Sequence, residues 1–209
     1  MGKIIQINNR CKETYRGKRG VNMCKVLKNI QGKTADEILK EYGNDSSIPV
    51  DLNKLLANMG ISALPLDFTE LEEIIEVEKG RVLGLVMSKG EKAAIFYRKE
   101  DSLNRQRFTI AHELAHCCLN NVTYEKPHID LRLNDKEKDN DEIAADIFAG
   151  KLLIPLTKLK DVYLKLAVPS SITLASKFAV SVNVMEARLD YLKISYFNKD
   201  GKAVVYGND

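Results

Sequence analysis

The spacing of apolar positions changes several times along the chain, and each change marks an element. From Thr34 the period is helical. Thr34-Ala-Asp-Glu37 reads as a capping box, in which a hydroxyl and a carboxylate satisfy two free amides at a helix start. That helix runs to Tyr42, and Gly43 ends it. Pro49-Val-Asp51 opens a second helix with Leu52, Leu55 and Leu56 on one face, closed by Gly60. Ile61–Asp67 reads as extended. Val82–Met87 and Ala93–Tyr97 are apolar runs split by Ser88-Lys-Gly-Glu-Lys92, a hairpin signal. Asp101 or Ser102 can cap a long helix reaching Leu119, stopped by Asn120-Asn121. In it Ala111, Leu114, Ala115 and Cys118 follow the i, i+3, i+4, i+7 rule. Residues 123–141 are polar and read as a long connection. Helical spacing resumes from Asp141 to Leu153, and further helices are predicted over 156–167, 171–179 and 183–193. Asp200-Gly201 between apolar flanks predicts a second hairpin.

Composition narrows the class. The chain has 209 residues, 44% hydrophobic and 29% charged, which suits a globular body. Its apolar runs fall far short of the roughly 18 residues of a membrane span. The N-terminal segment has no secretory apolar core. Four cysteines, with no C-x-x-C pair, are too sparse for a disulfide scaffold and point to a reducing, cytoplasmic setting.

Charge divides the chain. Residues 1–33 carry nine basic side chains and one acid, a net +8, while residues 34–209 carry a net −5. A basic arm of this kind is either a solvated, poorly packed tail or a contact for nucleic acid or an acidic partner.

The chemistry lies in His112-Glu113-Leu114-Ala115-His116. The chain has three histidines, and two of them stand in this motif. By composition alone such a match arises in roughly a few of a thousand sequences of this kind. Residues four apart share a helix face, so both imidazoles can reach one tetrahedral zinc. Glu113 then stands beside the open position, where it can take a proton from water. Zinc requires a third protein ligand. A continuation with Gly at 119 and His at 122 is excluded, because Leu119 and Val122 stand there. Glu142 is the preferred third ligand, with Asp146 one turn later positioned to orient a zinc imidazole. Without the upstream motif, Glu142 would read as an ordinary acid at a helix N-terminus. His128, on the polar connection, can bind metal, stabilise an oxyanion or simply face water.

Arg107-Phe-Thr-Ile-Ala-His-Glu-Leu-Ala-His116, Glu142-Ile-Ala-Ala-Asp-Ile-Phe-Ala149 and Leu152-Leu-Ile-Pro155 together resemble the ImmA/IrrE family of metallopeptidases. The resemblance continues in Leu174–Ser181 and Arg188-Leu189, and covers about residues 34–193. It implies a zinc site with His112, His116 and Glu142 as ligands and Glu113 as catalytic base. It also implies a cytoplasmic protein of bacterial or phage origin whose substrate is a helix-turn-helix repressor, cut to release transcription of mobile elements or stress genes. Cys117 and Cys118 depart from the aromatic or aliphatic residues common after the motif, and read as packed core thiols. Residues 174–189 have a helix-turn-helix spacing. Their second helix sets Arg188 against Glu186 and Asp190, which suits packing or substrate docking better than reading a DNA groove.

The expected architecture is α+β: a zincin-like domain with a small antiparallel sheet beside the motif helix and the Glu142 helix. The expected boundaries are a basic arm over 1–33, a metallopeptidase core over 34–155, and a C-terminal helical subregion with a terminal hairpin over 156–209. The expected function is zinc-dependent endopeptidase. The rival is a zinc-containing regulatory protein that contacts a repressor or DNA, through the basic arm and C-terminal helices, without proteolysis. No membrane contact is expected.

Overall fold

The computed structural model describes residues 24–43, 47–89, 91–119, 128–131 and 139–207. The chain opens with α1 (Lys25–Ile30), α2 (Ala35–Tyr42) and α3 (Leu52–Met59), followed by β1 (Ile61–Leu66) and α4 (Thr69–Ile74). The hairpin β2 (Val82–Lys89) and β3 (Lys92–Arg98) leads into the long helix α5 (Leu103–Cys118). After β4 (His128–Leu131) come α6 (Asn140–Leu153), α7 (Leu156–Tyr163), α8 (Ser171–Phe178), α9 (Val182–Tyr191) and the small hairpin β5 (Tyr196–Phe197) and β6 (Ala203–Val204). Among the described residues, no helix is long and apolar enough to cross a membrane.

Local chemistry accounts for the element ends. Thr34 Oγ1 accepts from Glu37 N at 3.3 Å, and Glu37 Oε2 accepts from Thr34 N at 2.7 Å, which is the capping box. Asp51 caps α3 through Lys54 N, and Gly60 closes it in the left-handed region at φ +77°, where a side chain would be strained. Asp139 Oδ1 accepts from Asp141 N and Glu142 N at 2.9 Å, fixing the first turn of α6.

The four strands lie in the order β1-β3-β2-β4. The pairs β2/β3 and β2/β4 are antiparallel, the first as expected, whereas β1 joins β3 in parallel, so the sheet is mixed. The cause is topological. The chain leaves β1, crosses through α4 and starts β2 at the same end, and the hairpin then folds β3 into the gap. Strand β3 therefore runs in the direction of β1. One face of the sheet packs on α5. On the other face Phe68, Val82 and Leu85 form a smaller cluster, with Ile129 and Leu131 of β4 packed against it. The buried Glu72–Arg98 pair ties α4 to that face, with Glu72 Oε1 accepting from Val82 N and Arg98 Nε donating to Val82 O.

Two boundaries move. The expected arm does not reach residue 33, because Cys24, Leu27 and Ile30 are fully buried in the main core. Helix α1 packs on α5 and β3, so its Lys25 and Lys28 are the polar side of an amphipathic core helix. Residues 1–23, with the rest of the basic segment, lie outside the described residues. At the other end, α7, α8 and α9 bury Leu159, Leu174, Phe178, Met185 and Leu189 in the same core as α5 and α6. The C-terminal helices are thus continuous with the core.

Candidate metal centre

Helix α5 runs through the middle of the molecule, and every residue from Thr109 to Cys118 is buried. That burial includes His112, Glu113 and His116, three polar side chains in a region where unpaired polar groups are costly. The partner is α6, whose buried Ala145, Ala149 and Gly150 lack the bulk to hold α5 at a distance.

The i, i+4 spacing places the imidazole Nε2 atoms of His112 and His116 3.0 Å apart. Glu142, on the first turn of α6, reaches both: its Oε2 lies 3.2 Å from His112 Nε2 and its Oε1 3.4 Å from His116 Nε2. One ligand atom from each residue lies within 4.8 Å of the others, a grouping that could hold a metal ion. On the opposite side of the ring, His112 Nδ1 donates to Asp146 Oδ1 at 3.0 Å. That bond turns Nε2 toward Glu142 and fixes the tautomer.

Glu113 is fully buried, and neither carboxylate oxygen has a hydrogen-bond partner among the described residues. It lies over Gly84 of β2, where a Cβ would collide with Glu113 Oε1 and the Thr109 methyl. Burial, and then the charge of Asp130, push the Glu113 carboxyl well above the usual carboxylate range. Burial works against protonation of His112, but hydrogen bonds to Asp146 and Glu142 outweigh it and raise the imidazole to about 10. The same contact with His112 lowers Glu142. His116 is pushed down to about 3 by burial and by the neighbouring charges of His128 and His112. The two carboxylates thus favour the imidazolium form of His112, which lies between them.

The residues present suit a divalent cation. Two imidazoles and a carboxylate converge with more lone pairs than their own hydrogens can satisfy, and an unpartnered carboxylate stands beside them. His128 lies outside this ligand group. It opens the edge strand β4, half-buried, with its ring 3.9 Å from that of His116 and its Nε2 buried without a partner among the described residues. The polar connection therefore supplies a strand. His128-Ile129-Asp130-Leu131 alternates with period two, sending Ile129 and Leu131 to the smaller cluster and His128 and Asp130 toward the metal centre. Asp130 and Gly84 are the site residues that sequence reasoning missed; they are paired across β4 and β2. That alternation was the signal for Asp130. Cys117 and Cys118 are buried, and burial pushes the Cys118 thiol up to about 12. In the helix-turn-helix-like segment, α9 packs on α8 and α6.

Two facing helices with a His-Glu-x-x-His pair on one and a carboxylate on the other define a metallopeptidase-type site. The family comparison agrees: a peptidase family model, described as the IrrE N-terminal-like domain, matches residues 73–190. The match spans more than half the chain and runs from α4 through α9, so the chain belongs to that family. No curated protein matches the sequence.

Proposed function

We propose that the chain is a zinc-dependent endopeptidase acting on a cytoplasmic regulatory protein, with a helix-turn-helix repressor as substrate. In this reading it is an anti-repressor of the kind carried by mobile genetic elements. The observation that carries the enzymatic reading is the unpartnered, buried carboxylate of Glu113 beside the His112/His116/Glu142 group. A metal site that only holds a fold together has no use for a neighbouring base. The repressor as substrate rests on the family resemblance.

His112, His116 and Glu142 would hold the zinc, and Asp146 would keep His112 in register. When bound, zinc supplies Lewis acidity, polarising the peptide carbonyl and making water easier to deprotonate. A nearby cation also favours the ionised form of Glu113, offsetting the burial that raises its pKa. Glu113 accepts the proton of the attacking water and delivers it to the departing amine. Gly84 leaves the space that Glu113 occupies, and Asp130 adds the negative charge that keeps Glu113 a strong base. The His128 ring lies against that of His116, tilted by 36°.

The test is cleavage of the repressor encoded nearest to this gene, with metal content measured on the same samples. Glu113→Gln is expected to retain zinc and repressor binding while losing roughly 10²–10⁴-fold in cleavage rate. Equal derepression by the wild type and Glu113→Gln would establish the non-proteolytic, zinc-containing binding protein instead.

A further inference from the structure

Behind His112, on the side away from Glu142, lies a groove of about 480 Å³ between α6 and α9. One wall carries Phe108 and Asp146. The Phe108 ring is 6.2 Å from that of His112, and Asp146 is bonded to it. The groove therefore starts at the metal centre. Its far end is built from Asn183, Arg188 and Tyr191 of α9.

Arg188 is only 7% exposed, yet it forms no ion pair among the described residues. Its Nε donates to the Ile154 carbonyl at 3.4 Å, which leaves both Nη groups without a hydrogen bond there. Lys151 of α6 is half-buried and likewise forms no ion pair among the described residues. Its Nζ and the Arg188 guanidinium each lie 5.7 Å from the centre of the Tyr191 ring. Two cations thus lie over one aromatic ring. Asp36 acts on Arg188 through its charge, without a hydrogen bond to it, and the other nearby acids have partners of their own. Asp190 accepts from the Tyr196 and Tyr206 hydroxyls, Glu186 from Ser171 Oγ and Lys199 N, and Asp146 from His112. A buried guanidinium costs free energy unless an anion meets it, and its planar fork fits a carboxylate in two-point fashion.

We propose that this groove binds an acidic side chain of the substrate, with Arg188 as the carboxylate anchor, Tyr191 as the apolar floor and Lys151, over the same ring, as a second cation beside the groove. The assignment rests on the peptidase reading. Because Asp146 and Phe108 belong both to the groove and to the surroundings of His112, the acidic residue sits within a few positions of the bond that is cut. Arg188 acts here in specificity, and the proton chemistry remains with Glu113.

The zinc-loaded full chain, incubated with a proteome-derived peptide library, is expected to enrich Asp and Glu at one fixed distance from the cleaved bond. Arg188→Met is expected to lower the ratio of acidic to neutral sites about tenfold through KM, and Arg188→Lys to restore part of it. Lys151→Met, which alters a surface cation, is expected to act in the same direction and covers the case in which Arg188→Met does not fold. No acidic preference in the wild type, or a preference that survives both replacements, would overturn the assignment. A binding arm separates this result from failure of the peptidase reading. Hexaglutamate and hexaglutamine are titrated into zinc-loaded Glu113→Gln protein, and the Tyr191 and Arg188 side-chain resonances are followed. Binding of hexaglutamate alone, lost in Lys151→Met, supports the acidic-peptide groove even if nothing is cleaved. No binding of hexaglutamate, or inorganic phosphate binding equally well, overturns it.

Discussion

The helix pairs α5/α6 and α8/α9 are built on opposite principles. In α8/α9 the buried faces are Leu174, Ala175, Phe178, Met185 and Leu189. Each helix start is sealed: Ser170 accepts from Thr173 N and Ser181 from Val184 N, at 3.2 Å in both cases. Arg188 apart, that pair follows the rules that maximise stability. In α5/α6 the contact buries His112, Glu113 and His116, and leaves two carboxylate oxygens of Glu113 unpaired. It gives up stability, and in the proposed function that loss holds the ligands and the base in a preset arrangement. The difference separates residues that carry the fold from residues that carry the chemistry, although both belong to one core.

The contrast can be broken most forcefully on its structural side. Leu189→Ala, a fully buried truncation, is expected to cost about 2–5 kcal/mol in chemical unfolding while metal affinity is unchanged at temperatures where the variant is folded. A loss of metal binding in the folded variant would show that α9 helps shape the ligand group. Gly84→Ala probes the chemical side. The added methyl displaces Glu113, and cleavage of the repressor is expected to fall by roughly 10²-fold with zinc content retained.

Opposite signs are expected from stability itself. Glu113→Met removes a buried, unpaired carboxyl group, so the metal-free protein is expected to gain about 1–3 kcal/mol in denaturant unfolding, where Leu189→Ala loses. A destabilised Glu113→Met would mean that the carboxyl group supports the fold. The smallest effect is on metal uptake against pH. His112 is raised to about 10 in the metal-free protein, so it carries a proton throughout the neutral range, and a metal must displace it. Apparent affinity, measured by chelator competition, is expected to rise about tenfold per pH unit from pH 7 to 9, with release of one proton. A flat profile would show that His112 is neutral before the metal arrives.

Much of this arrangement was legible in the sequence because its signals are short. The capping box at Thr34, the His112/His116 spacing and the β2/β3 hairpin each lie within a few residues. They follow from backbone geometry that local chemistry imposes. Glu142 was reachable because its role follows from the motif upstream, although 26 residues separate it from His116. Helix α1 was misread because nine cations in the first 33 residues masked its apolar side of Leu27 and Ile30.

What the sequence by itself determined, then, is the helices, their caps and the chemical type of the centre, since all of these are set by neighbours within one or two turns. Tertiary structure alone decided which distant residues complete it. Only strand pairing brings Asp130 opposite Gly84, and only the fit of β2 against α5 makes that glycine necessary for Glu113. Only helix packing leaves Arg188 buried with its guanidinium, like the Lys151 ammonium, over the Tyr191 ring. Such contacts join residues tens of positions apart. Their energy comes from burial and charge compensation in the assembled core, and neither leaves a period in the chain.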